Sequence, residues 1–186
     1  EIPQMSVGLL LDESGSMCSC DRCTYARSSA IILYDFCKAL HIPVTVYGHS
    51  TSGSSVELYS YAEFESIDND DKYRLMDIAA RGSNRDGAAL RFVAEQLVKR
   101  PEEVKILILV SDGQPAAPGY YGSAAEEDLR GIKQEYRRKG VLFIAAAIGE
   151  DKQNIERIYG DSFMDITDLN QLPVKLTAAV KRHMRV

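Results

Sequence analysis

The chain has 186 residues, a net charge of −5, 45% hydrophobic and 26% charged residues. That balance suits one globular domain with a sizeable core and gives no reason to expect nucleic-acid binding. No apolar run approaches the roughly 20 residues of a membrane span, and Glu1-Ile2-Pro3 lacks the basic start and apolar core of a signal peptide.

Apolar, β-rich runs alternate with stretches of helical period. Residues 6–11 predict a strand that ends at Asp12-Glu13-Ser14-Gly15-Ser16. Ala30, Leu33, Tyr34, Cys37 and Leu40 recur at helical spacing, so a helix runs from about 25 to 40, with Pro43 just beyond it. Strands at 44–47 and 56–61 flank the Ser- and Gly-rich stretch 50–55 and form a hairpin. Asp68-Asn69-Asp70-Asp71 caps a helix over about 72–80. A polar loop over 82–86 precedes a helix whose apolar side carries Leu90, Val93 and Leu97. Residues 104–110 are apolar almost throughout, as suits a strand covered on both faces, and end at Ser111-Asp112-Gly113. A Pro- and Gly-rich loop then leads to a helix over 124–139, a strand over 141–148 and a short helix near 154–158. A short edge strand around 163–166 and a terminal helix over 172–184 complete the order. The alternation predicts an α/β fold, a mostly parallel central sheet with helices on both faces. Residues 1–186 are expected to be a single domain, cut from a longer protein because no initiator Met is present.

In an open α/β sheet, ligands sit beyond the carboxyl ends of the strands. The strands ending at Asp12 and Asp112, and the loop before the helix at Asp86, should meet there. Together they offer Asp12, Ser14, Ser16, Asp86 and Asp112, a set of oxygen donors suited to Mg2+, with Mn2+ or Ca2+ as substitutes. Each residue has a plainer role open to it: the aspartates as turn residues or helix caps, the serines as caps.

Asp12-Glu13-Ser14-Gly15-Ser16 resembles the Asp-x-Ser-x-Ser motif of von Willebrand factor A (vWA) domains, the metal-ion-dependent adhesion site. Val110-Ser111-Asp112-Gly113 resembles the later strand-end aspartate of that family. The order of elements is similar over nearly the whole chain, which implies a Rossmann-like vWA fold with one antiparallel edge strand. Asn84-Arg85-Asp86-Gly87-Ala88-Ala89-Leu90, Ser111-Asp112-Gly113-Gln114-Pro115 and the 120–129 stretch are similar to the C-terminal vWA domain of the cobalt chelatase CobT subunit and to NorD proteins of nitric oxide reductase activation. That resemblance implies a non-catalytic, metal-dependent protein-binding adaptor working with a MoxR- or chelatase-type AAA+ ATPase, in cobalamin biosynthesis or in activating a metalloenzyme. Most vWA domains place a threonine on the middle loop. No threonine lies between Gly82 and Leu90 here, so Asp86 is expected to take its place and to add negative charge that disfavours an incoming carboxylate.

Cys18, Cys20 and Cys23 follow the motif as Cys-x-Cys-x-x-Cys, a spacing that allows a thiolate metal site or redox pair or three free thiols. Four cysteines, three of them crowded together, make a poor disulfide framework and favour a cytoplasmic setting. Tyr120, Tyr121 and His49 are placed near the metal loop as candidate partner contacts; packing over the loop is the alternative for the tyrosines, and support of the metal ligands or an unspecialised loop position for His49. Two other functions compete with the adaptor: a Mg2+-dependent hydrolase or phosphoryl-transfer enzyme on the same carboxylates, and a thiol-based metal or redox sensor. The first lacks an evident base for either serine.

Overall fold

The computed structural model describes residues 4–66, 68–147 and 151–183, with the side chains of Cys20, Val180 and His183 outside that description. The strands are β1 (Met5–Asp12), β2 (Val44–Ser52), β3 (Ser55–Ala62), β4 (Val104–Val110), β5 (Ala116–Ala117), β6 (Tyr120–Tyr121), β7 (Val141–Ala147) and β8 (Phe163–Asp165). The helices are α1 (Arg22–Ala39), α2 (Asp71–Arg74), α3 (Asp86–Val98), α4 (Gly122–Arg138), α5 (Lys152–Tyr159) and α6 (Leu172–His183).

Six strands form one sheet in the order β3-β2-β1-β4-β7-β8. Only β3 runs antiparallel to its neighbour, as the predicted hairpin requires. The central strands are apolar without alternation because both faces are covered. Leu9 and Leu11 pack with α1 and α6 on one face, while Leu10 packs with α3, α4 and α5 on the other. Burying each such leucine contributes about 1.5–3 kcal/mol, which fixes β1 at the centre. No helix among the described residues is long and apolar enough to cross a membrane.

Several boundaries differ from the sequence reading. A 3₁₀ stretch, Gly15–Asp21, separates β1 from α1, and Asp21 at φ 57° adopts a left-handed conformation at the junction. Strand β2 continues to Ser52, so His49 lies within it. The helix expected over 72–80 is only α2 and a 3₁₀ turn, Leu75–Asp77, before the chain becomes extended at Ile78. The cause is competition from other elements. The Ile78 carbonyl accepts Arg27 Nε at 3.0 Å and Nη2 at 2.6 Å, and the Ala79 amide donates to Glu13 at 2.9 Å. Ile148 and Met184, ends of predicted elements, lie outside the described residues.

Candidate metal centre

Strands β1 and β4 pair with Leu11 opposite Val110, so Asp12 and Ser111 leave the sheet side by side. Asp12 Oδ1 accepts from the Ser14 amide at 2.8 Å. Its Oδ2 accepts from Ser111 Oγ at 3.0 Å and from Asn84 Nδ2 at 2.7 Å. The Ser14 and Ser16 hydroxyls share a hydrogen bond of 3.0 Å, and Asp112 Oδ1 accepts the Gln114 amide at 2.9 Å. Burial raises the Asp12 carboxyl above its ordinary range and Asp86 adds to the rise, with His49 and Ser14 opposing. Burial, then Asp12, raises Asp112, while the Ser16 hydroxyl and the Gln114 amide oppose.

Asp112 Oδ2 and Asn84 Oδ1 are buried and have no hydrogen-bond partner among the described residues. Leaving such a group unpaired costs about 1–3 kcal/mol. Among the described residues, no group of three or more His, Cys, Asp and Glu side chains is disposed to hold a metal. The donors at this edge are of another kind: two carboxylates, two hydroxyls and an amide oxygen. Such a set fits a hard divalent cation, which prefers oxygen ligands and keeps some waters.

Asp12, Ser14, Ser16 and Asp112 are thus brought together. Asp86 lies close enough to raise the Asp12 carboxyl, but it faces His49: its Oδ1 lies 2.9 Å from His49 Nε2, with both side chains buried, and neither of its oxygens has a hydrogen-bond partner among the described residues. Burial pulls the His49 imidazolium down, but the adjoining Asp86 carboxylate and the charges of Asp12 and Glu13 raise it overall. Asn84, two residues earlier, occupies the place beside Asp12 that the sequence reading gives to Asp86. The overlooked signal was the lone side-chain amide in the loop.

Glu13 is a second residue that sequence reasoning passed over. Its carboxylate is buried, and Oε1 accepts from Tyr61 Oη at 2.7 Å, the Ala79 amide at 2.9 Å and Arg81 Nε at 3.4 Å. Its backbone accepts the Arg81 amide at 2.5 Å, and the Gly15 amide donates to the Gly82 carbonyl at 2.6 Å. These bonds clamp the Asp12–Ser16 loop to the loop that carries Asn84. The close packing of these loops against β2 depends on bare backbone at two glycines. A Cβ at Gly48 would lie 1.7 Å from Glu13 Oε2, and one at Gly82 would lie 2.5 Å from the Thr51 carbonyl oxygen. Thr51 and Ser83 exchange two backbone hydrogen bonds, and the Ala116 amide donates to the Asn84 carbonyl at 3.3 Å. Across the site, Arg22 binds Asp151 through Nε (2.6 Å) and Nη2 (2.8 Å) and reaches the Ser16 carbonyl through Nη1 (3.2 Å).

Residues 73–184, more than half of the chain, match the family described as the cobalamin biosynthesis protein CobT VWA domain. The chain belongs to this family. Among curated relatives, YojO of Bacillus subtilis is 26% identical over 94% of this chain and 29% of its own length. NorD of Brucella suis is 34% identical over 50% of this chain and 15% of its own length. The chain thus spans under a third of the length of these relatives. Two solved structures share the fold. Manganese-loaded TRAP of Plasmodium vivax has a TM-score of 0.64 and 15% identity, covering 91% of this chain and 72% of that one. The mussel byssus protein PTMP1, with a zinc-occupied MIDAS motif, has a TM-score of 0.64 and 20% identity, covering 96% of this chain and 47% of that one.

Around the Asp12–Ser16 loop of this VWA domain, the remaining candidates take distinct positions. Tyr121 is exposed on the short β5–β6 hairpin. Tyr120 is half-buried: its hydroxyl donates to Asp128 at 2.8 Å, and the Arg85 guanidinium sits 5.5 Å from its ring centroid. Arg85 Nη2 also donates to the Pro118 carbonyl at 2.7 Å, which holds this cation to the hairpin. His49 is buried and faces inward, away from any partner surface. Cys18, Cys23 and Cys37 are free thiols. Cys18 is exposed, whereas the Cys23 Sγ donates to the Ile78 carbonyl at 3.7 Å and burial pushes its thiol up, which disfavours a thiolate.

Proposed function

We propose that this VWA domain is a non-catalytic adaptor that binds a protein partner through a divalent cation, Mg2+ in the cell, held by Asp12, Ser14, Ser16 and Asp112. A bound cation would supply an electrophilic centre able to take one oxygen ligand from the partner. The chain's own residues orient that centre: Ser111 and Asn84 fix Asp12, and Arg22 ties the Ser16 segment to α5 through Asp151. The observation that carries the reading is Asp112 Oδ2, a buried carboxylate oxygen without a donor beside Asp12, Ser14 and Ser16. Asp86 supports the site from behind through His49. With its charge faced by an imidazole, the front of the site keeps two carboxylates, few enough for a cation there to accept an acidic partner group.

The CobT and NorD kinship supports a MoxR- or chelatase-type AAA+ ATPase as the partner, and cobalt chelation or metalloenzyme activation as the setting. The free thiols Cys18, Cys23 and Cys37 suit a reducing cytoplasm, and residues 1–186 act as one domain. A hydrolytic role finds less support, because the imidazole at this edge, His49, is committed to Asp86. The test is binding of a purified MoxR-type AAA+ hexamer from the same genome with Mg2+ or with EDTA. Binding that requires Mg2+ and is lost in Asp12→Ala is the expected result. Binding indifferent to both overturns the proposal.

A further inference from the structure

We propose that Asn84 is a direct cation ligand through Oδ1, a neutral amide oxygen where the sequence reading sought a hydroxyl or a third carboxylate. This inference rests on the cation site proposed above and names a residue of this chain that completes it. Three observations support it. Asn84 is 1% exposed, and its Oδ1 has no hydrogen-bond partner among the described residues. The amide orientation is set by chemistry: Nδ2 donates to Asp12 Oδ2 at 2.7 Å, and a flipped amide would set oxygen against a carboxylate oxygen. The backbone is fixed independently of the side chain, by the Ala116 amide on the Asn84 carbonyl and by the Thr51–Ser83 pairing one residue earlier. Oδ1 is therefore held beside Asp12 before any ligand arrives.

The choice of an amide has a consequence for selectivity. It adds an oxygen donor without adding charge, so Asp12 and Asp112 alone offset the two charges of the cation. The set contains no nitrogen or sulfur donor, which favours Mn2+ and Mg2+ over softer ions.

Mn2+ binding to the purified chain, followed by electron paramagnetic resonance, tests this in wild type, Asn84→Leu and Asn84→Asp, with the metal-free melting temperature of each recorded. Leucine is close in volume but has no oxygen, and its Mn2+ affinity should fall at least tenfold. Aspartate keeps the oxygen and loses the Nδ2 donor, and its affinity should match or exceed wild type. If Asn84 serves only to orient Asp12 through Nδ2, both variants lose that donor and both weaken alike, which overturns the proposal. Unchanged affinity in Asn84→Leu overturns it as well. A wild-type chain that binds no Mn2+ overturns the reading of the site itself, and this inference with it. A variant whose metal-free melting temperature collapses is replaced by Asn84→Ala, for which the same tenfold loss is required.

Discussion

Glu13 and Asp86 lie beside Asp12 and Asp112 at one edge of the sheet, and all four carboxylates are buried. Their partners differ in kind. Glu13 is faced by Arg81 and Asp86 by His49. Among the described residues, Asp12 and Asp112 accept hydrogen bonds only from neutral groups: backbone amides, serine hydroxyls and one side-chain amide. The first pair is faced by basic groups that the chain itself supplies, and Glu13 Oε2 and both Asp86 oxygens have no hydrogen-bond donor among the described residues. The second pair, raised by burial and by neighbouring carboxylates, is a local cost that an ion from solution can relieve. Proximity in sequence therefore says little about role; the charge of the facing group decides it.

Removing the cation from the first pair should give the largest change. His49→Ala leaves Asp86 buried without its imidazole and is expected to destabilise the fold by about 3–5 kcal/mol in urea denaturation. A loss below about 1 kcal/mol would mean that the His49–Asp86 contact does not balance the buried charge. Crowding Glu13, the other carboxylate with a basic neighbour, comes next. Gly48→Ala would drive a methyl group into Glu13 Oε2 and should cost about 1–3 kcal/mol, with Gly48→Ala/Glu13→Ala less destabilised than the sum of the singles. Strict additivity would break the assigned contact. The smallest effect should have the opposite sign. Asp112→Asn removes a repelled charge, so the metal-free protein should gain about 1 kcal/mol while its stabilisation by Mn2+ disappears. A metal-free loss instead would place Asp112 in the first class.

Much of this was legible in the chain because it follows from where apolar runs stop. Leu9-Leu10-Leu11 and the 104–110 run could only be central strands, and their ends brought Asp12 and Asp112 together by register alone. The middle loop was harder to read. Asp86 was read as a ligand because its loop faces the strand ends and holds no threonine, with a helix cap as its plainer role. In the structure Arg85 precedes the helix without a side-chain cap, and Asp86 turns to a histidine 37 positions away in sequence. Only strand β2, extended past its predicted end, brings that histidine into place, and local pattern carried no sign of it. The shortened α2 has the same origin: Glu13 and Arg27 take the backbone groups that a longer helix would have used.

The backbone pairing of Thr51 with Ser83, and of Asn84 with Ala116, has a kinetic consequence. A loop joined in this way to β2 and to the β5–β6 hairpin cannot fluctuate by itself; it opens only when those strands open with it. The amide protons of Thr51, Ser83 and Ala116 should then exchange with solvent as slowly as those of β2, with or without an ion. An arriving cation would meet a cradle already assembled, so its association would be governed by how fast it sheds water rather than by how fast the chain folds around it.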